Sequence, residues 1–365
     1  MILHRYFAIR FAKSFGMIFG LFLMMIGFFD LVDQLGRHSK GSDATFSKIV
    51  GLTLLNVPYA IYTILPLIMI LASILLFLGL ARSSEMVVTR AAGRSALRAL
   101  LSPIFVTLLI GVIGVAVFNP IVAATSKEYE SRSNAMRGES AVLSISSDGL
   151  WLRQGSDVGQ TVIRAQASNL DGTRLSDVTF LTFGFGTGPT RRIEAQSATL
   201  ENGQWTMQNA KVWTLLDTAN PEVGAQTVAE MSIPSSLTAD QIRDSFGQPS
   251  SVSIWDLPGF ISQLKRAGFS ARRHEVWFQS ELSKPVFLIA MVLIGAAFTM
   301  RHQRGGKTGI MVLTAVILSF ALYFVRNFAN ILGETGQLPV ALAVWAPPLA
   351  AIGMSLGLIL HLEDG

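Results

Sequence analysis

Residues Pro66 to Ser95 read PLIMILASILLFLGLARSSEMVVTRAAGRS. No charge occurs from Pro66 to Ala81, and then Arg82, Glu85, Arg90 and Arg94 follow in close succession. An uncharged apolar run of this kind suits the interior of a bilayer. The segment behind it is short, amphipathic and basic, with a single acid. The pattern is that of a membrane helix delivering an elbow, expected over 81–98, to the membrane surface. Such elbows couple membrane domains to soluble motors.

The rest of the chain agrees with this reading. Hydrophobic residues make up 50% and charged residues 15%, with a mean hydropathy of +0.47; a soluble domain is nearer a quarter charged. Six stretches approach the length of a bilayer span: Phe15–Leu35, Val50–Leu80, Leu100–Ala124, Val286–Met300, Gly309–Ile331 and Leu338–Leu360. The fourth is short and is expected to borrow the turn around Trp277–Leu282 or to sit beside a thinned bilayer. The first is long, lacks a small-x-small cleavage site and ends in Asp30 and Asp33, so it does not read as a cleaved signal. Cysteine is absent, which removes disulfides and Cys-ligated metals. No cofactor is called for.

Short-loop Lys and Arg set the orientation. Arg5, Arg10 and Lys13, then Arg82 to Arg98, then Arg301, Arg304 and Lys307 all fall on one side if the N-terminus is cytoplasmic. Both termini are then inside and 125–284 is outside. The net charge of +5 is largely this positive-inside set, and no nucleic-acid-binding pattern accompanies it.

From Ser140 to Pro234 apolar and polar residues alternate. RIEAQSATL (Arg192–Leu200) and WTMQNAKVW (Trp205–Trp213) flank Asn202-Gly203, a strong hairpin signal. Asp148-Gly149 and Asp171-Gly172 mark further turns. Short strands at this spacing predict an antiparallel sandwich, jellyroll or open barrel. Helical pattern resumes after Thr238, to Phe246, and after Asp256, to about Ala267. The expected organisation is a membrane half at 1–124, an external β-jellyroll-like domain with a helical return at 125–268, and a second membrane half at 269–365.

Enzyme motifs fail on inspection. Gly306-Lys307-Thr308 ends like a P-loop, but Arg301 stands where the first glycine belongs. His274-Glu275 begins a zincin motif, but Phe278 stands where the second His belongs. Gly353-x-Ser355-x-Gly357 lies in an apolar helix, where small residues are packing contacts, and Gly16-x-x-x-Gly20 reads the same way. Gly184-x-Gly186-x-Gly188 has no helix behind it and reads as a β loop. The chain reads as a subunit without its own ATPase or other active site.

Several segments together resemble one family: LHRYFAIRF (Leu3–Phe11), DLVDQL (Asp30–Leu35), the elbow RSSEMVVTRAAGRS, and Trp151-Leu-Arg after Asp148-Gly149, in a 3+β+3 layout. It is the LptF/LptG family of lipopolysaccharide-export permeases, and Val32–Leu35 is most like the LptG branch. The resemblance implies a heterodimer with an LptF-like permease, an LptB-like ATPase dimer on the cytoplasmic side, an LptC-like membrane-anchored jellyroll and an LptA-like periplasmic bridge. Lipopolysaccharide would leave the inner membrane through the permeases and pass along the jellyrolls toward the outer membrane.

Two candidate sites follow. Arg37, Lys40, Lys127, Arg132 and Arg137 lie just outside helices one and three, where basic groups bind lipid phosphates or simply snorkel. Glu85, Met86, Val87, Arg90 and Gly93 would dock the ATPase, Glu85 in a basic groove and Met86 and Val87 as apolar anchors; the alternative is a Glu85 pairing within its own helix. Phe180, Phe183 and Trp213 either line a lipid groove or fill a closed core. There are departures from the family pattern. Asp30 stands where a lysine can occur, and Glu281 where a basic residue commonly precedes Pro285. Asp30 and Asp33 are expected to pair with Arg37 or with a partner's basic residue. The rival readings are another envelope-lipid or lipoprotein ABC exporter, and a non-transporting membrane-anchored assembly module.

Overall fold

The computed structural model describes residues 2–38, 45–91, 95–137, 143–146, 149–156, 159–169, 172–184, 188–216, 220–238, 242, 248–266, 270–300 and 308–364. The chain forms two compact units. One comprises Met1–Met136, Ser250–Leu257 and Arg272–Gly365, and the other Arg137–Pro249 and Pro258–Ala271.

The first unit is helical. It holds α1 (Ile2–His38), α2 (Phe46–Thr63), α3 (Leu65–Arg82), the short α4 (Glu85–Ala91), α5 (Ala96–Ile113), a π turn (Gly114–Phe118) running directly into α6 (Asn119–Arg137), and then α8 (Arg272–Thr299), α9 (Thr308–Glu334) and α10 (Val340–Asp364). Six of its helical segments are long and apolar enough to cross a bilayer. The Val50–Leu80 stretch is not one helix. Ile64, at φ −91° and ψ 4°, separates α2 from α3. Pro66 is the cause, because it has no amide to donate and its ring excludes the preceding helical carbonyl. Only α3 of this pair qualifies as a span. The short fourth stretch is extended upstream by Arg272–Lys284, so Trp277–Leu282 belongs to α8 itself. The third span's helix likewise continues past 124, to Arg137.

α8 is the axis of the unit and packs on α3, α5, α9 and α10. Its apolar half is buried from Phe287 through Met291 to Ala297, apart from half-buried Ile289. Two glycines permit the closest approaches. A Cβ at Gly295 would lie 2.9 Å from Ser73 Cβ on α3, and one at Gly111 on α5 would lie 2.8 Å from Pro285 Cα. Ser73 uses the first of these approaches to donate to Val292 O at 2.8 Å.

The second unit is a seven-stranded antiparallel sheet in sequential order, with α7 (Leu257–Arg266). Its strands are β1 (Leu143–Ser146), β2 (Gly149–Ser156), β3 (Gly159–Ser168), β4 (Arg174–Gly184), β5 (Gly188–Glu201), β6 (Gln204–Thr214) and β7 (Gln226–Pro234). Asn202 (φ 52°) and Gly203 (φ 73°) form the β5–β6 turn, the primed geometry that suits strand twist. One face carries the core. On β4, β5 and β6 the inward positions advance by three once per strand: Leu175 to Val178, Ala195 to Ala198, Met207 to Ala210. Asp177 (φ 49°) and Asn209 (φ 52°) sit inside these steps in a left-handed conformation, and the pairing register is unchanged across them. The steps coincide on paired strands, Leu175 facing Ala198 and Val178 facing Ala195, so both ends of each strand keep their apolar side chains on the same face. α7 comes where Asp256 and Pro258 predict it. Of the helix expected after Thr238, Ile242 is described and donates to Thr238 O at 3.0 Å; 239–241 and 243–247 lie outside the described residues.

Candidate functional site

α3 stops at Arg82 because Ser84 adopts a left-handed conformation (φ 59°), which redirects the chain into α4. Glu85 opens α4, but its carboxylate is neither free nor paired within its own helix. Arg10 on α1 donates to both oxygens (2.6 and 2.7 Å), Tyr6 donates at 2.8 Å and Ser83 at 2.7 Å. Partial burial pushes the Glu85 carboxyl up, but the hydrogen bonds from Arg10, Ser83 and Tyr6 outweigh this and hold it below the usual carboxylate range. Met86 is 2% exposed and sits in the chain's own core with Phe7 and Phe11. The apolar side chains that α4 shows outward are Val87 and Val88. Arg90 lies in α4 with its side chain outside the described set, and Gly93 is outside the described residues.

The C-terminal parts of α1 and α6 meet through Gln34, which donates to Tyr129 at 2.9 Å. The candidate cations lie around this contact. Arg37 pairs with Asp33 at 2.8 Å and Arg132 with Glu128 at 2.7 Å, each pair i,i+4 and about half exposed. Lys127 is exposed. Arg137 ends α6 with its side chain outside the described set, and Lys40 is outside the described residues. Asp33 therefore pairs with Arg37 as expected, but Asp30 does not. It accepts from the Asn56 amide at 2.6 Å, because α2 packs beside α1 and brings Asn56 within reach.

The sequence reading missed a third cluster, buried in the helical unit. Glu281 on α8 accepts from Tyr62 on α2 and from Lys284 (2.7 Å). The Lys284 ammonium sits 3.3 Å from the Tyr62 ring centroid. Arg326 on α9 donates to Ser280 O at 3.4 Å, and its guanidinium covers Phe287 at 4.6 Å. Glu281, Lys284 and Arg326 are all under 8% exposed. Ionisable groups inside apolar spans are the signal that could have found it. Arg326 within Gly309–Ile331 was visible, whereas its meeting with Ser280 and Phe287 on α8 was not.

In the sheet unit, Phe180 and Trp213 do not share a surface. Phe180 is fully buried, with Trp205 edge-on at 6.1 Å. Trp213 lies on the opposite face, over which Arg192 and Lys211 stack, and its indole donates to Glu222 at 2.7 Å. Phe183 is half-buried near the end of β4. A cavity of about 460 Å³ on the outward face is lined by Arg164, Asp177, Glu194, Gln196, Asn209 and Lys211. Such a lining suits polar groups and water rather than acyl chains.

These features define a class, a polytopic membrane protein with an antiparallel β unit inserted between its third and fourth spans. The family model for the lipopolysaccharide export system permease LptF/LptG matches residues 5–361, and the chain belongs to that family. It is similar to the lipopolysaccharide export system permease protein LptG of Haemophilus influenzae, 25% identical over 364 residues and 96% of each chain. It is also similar to LptG of Escherichia coli K12, 24% identical over 373 residues, 99% of this chain and 98% of the relative.

Proposed function

We propose that this chain is the LptG-like half of an ATP-driven lipopolysaccharide exporter of the inner membrane. Its partners are an LptF-like permease, an LptB-like ATPase dimer docked at α4 on the cytoplasmic side, and LptC-like and LptA-like jellyrolls that carry lipid toward the outer membrane. Both termini are cytoplasmic and the sheet unit is periplasmic, an orientation supported by the positive-inside distribution of Lys and Arg. Arg37, Lys127 and Arg132, with Lys40 and Arg137, receive the lipid A phosphates at the outer ends of α1 and α6. Arg37 and Arg132 now have carboxylate partners within hydrogen-bond reach, so a phosphate takes the place of Asp33 and Glu128 when lipid enters. At the elbow, Val87 and Val88 are the apolar groups offered to the ATPase. Met86 and Glu85 act from behind them, and Arg90 and Gly93 complete the turn.

The observation that carries this reading is the family match over nearly the whole chain together with the six spans and inserted sheet. Affinity purification in mild detergent, with identification of co-purifying proteins and lipid, tests it. An ATPase, a second permease and lipopolysaccharide are the expected companions. Recovery of an ATPase with a different envelope lipid would assign the chain to another exporter, and recovery of no ATPase would sink the transport reading.

A further inference from the structure

α1 is held by buried and hydrogen-bonded side chains at its two ends, while between them half-buried groups such as Phe15 and Phe19 pack on the core. In its most apolar window no residue is buried, and Met17, Leu21, Met24 and Phe28 stand exposed. Its C-terminal part is tied by Gln34 to Tyr129 and by Asp30 to Asn56. Its first turns are tied to the elbow, and this tie has two layers. Inside, Phe7 (2% exposed) and Phe11 (0%) share a core with Met86 (2%). Outside, Tyr6 and Arg10, one turn apart, close on the Glu85 carboxylate, which accepts four hydrogen bonds counting that from Ser83. His4 adds a 2.8 Å contact to Ser102 on α5. Consecutive residues of α4 thus grip α1 in opposite chemistries, Glu85 by charge and Met86 by burial.

We infer that Arg10 and Tyr6 are positioning residues for transport, latching the elbow to α1 through Glu85 so that movement of the elbow is delivered directly to the first membrane helix. A charge-assisted contact spanning 75 residues of sequence is directional in a way apolar packing is not. It adds a directional tie between α4 and α1 to the apolar core in which Phe7, Phe11 and Met86 are all buried. The inference rests on the reading that α4 docks an ATPase, and it assigns Glu85 to the inside of the elbow rather than to the docking face.

The test uses the complete complex with its ATPase, reconstituted with lipopolysaccharide, and reads ATPase co-purification, ATP hydrolysis and lipid released per ATP hydrolysed. Arg10→Glu and Glu85→Arg should each leave the ATPase bound and lower lipid per ATP about fivefold. The pair Arg10→Glu/Glu85→Arg should return it to within about twofold of the parent, since the contact is restored with its charges exchanged. Arg10→Lys, which keeps the charge, should lose less than Arg10→Glu. Failure of the pair to improve on the worse single variant, or an unchanged lipid yield in Arg10→Glu, overturns the latch. So does loss of ATPase binding in Glu85→Arg that the pair does not recover, because Glu85 would then face the ATPase itself. Val88→Asp separates the underlying reading. If that variant keeps both ATPase binding and lipid per ATP, it is the docking role of the elbow that fails, whatever the Arg10–Glu85 pair does.

Discussion

Glu281 is the hub of the buried cluster, and removing it leaves the charges of Lys284 and Arg326 without their counter-ion in a site from which water is excluded. Glu281→Ala should destabilise the helical unit by about 3–5 kcal/mol, read as a fall in unfolding temperature in detergent, and Glu281→Gln should lose less because it still accepts from Tyr62. Glu85 behaves differently with pH. Its folded-state affinity for a proton is depressed, so its contribution is fully present above its ordinary value of 4.5 and is lost as pH falls through the lower, folded value. A thermal series from pH 7 downward should be flat with respect to Glu85 until the medium is more acidic than 4.5, and Glu85→Gln should remove that acid limb. At this scale the sequence was only partly readable. The basic neighbours of Glu85 in the sequence, Arg82, Arg90 and Arg94, drew attention to it, yet its actual partner lies on another helix. Spacing predicts i,i+4 pairs such as Arg37–Asp33. It gives no access to contacts that depend on which helices become neighbours.

Among elements, helix approach is set by where side chains are missing. Gly111→Ala would put a methyl 2.8 Å from the Pro285 backbone, and the shift needed to relieve it should cost about 1–3 kcal/mol. Gly16→Ala meets nothing within 4 Å, so in the isolated chain it should be neutral or slightly stabilising, as Ala for Gly in a helix ordinarily is. If Gly16 packs a partner's helix, its effect appears only when the two permeases are co-purified, as reduced recovery of the heterodimer. Spans, hairpin and return helix were legible because each is written locally, in apolar run length, in Asn-Gly and in Asp256-x-Pro258. The break at Ile64 was legible in principle through Pro66, but apolar continuity hid it. The three-residue steps at Asp177 and Asn209 were not legible, because strict alternation is the only strand rule a single sequence offers and a step of three reads as a lapse in it.

For the whole molecule, the consequential question is whether the C-terminal parts of α1 and α6 take hold of lipid. Each exposed charge-assisted contact is worth about 1–3 kcal/mol, screened by salt, and two of the three cations must first leave a carboxylate. Single Ala variants at Arg37, Lys127 and Arg132 should therefore weaken lipid crosslinking modestly, and the triple variant should weaken it strongly in a complex that still assembles. Normal lipid retention in the triple variant would reduce these residues to interfacial anchors. Their arrangement depends on the π turn at Gly114–Phe118, within which Ala116 O accepts from the Trp255 indole at 3.1 Å and after which Asn119 accepts from Ile254 N at 2.9 Å. A π turn is equivalent to one residue added to an α-helix, so it acts as a phase setting for everything downstream. Deleting a single residue between 114 and 118 would let the helix close its ladder normally and would turn α6 by about 100°. Tyr129 would rotate away from Gln34, and Lys127 and Arg132 with it, while every one of those side chains remained in the sequence. Length variation at this one turn is thus a route by which related chains can re-aim an entire basic face without substituting any of its residues.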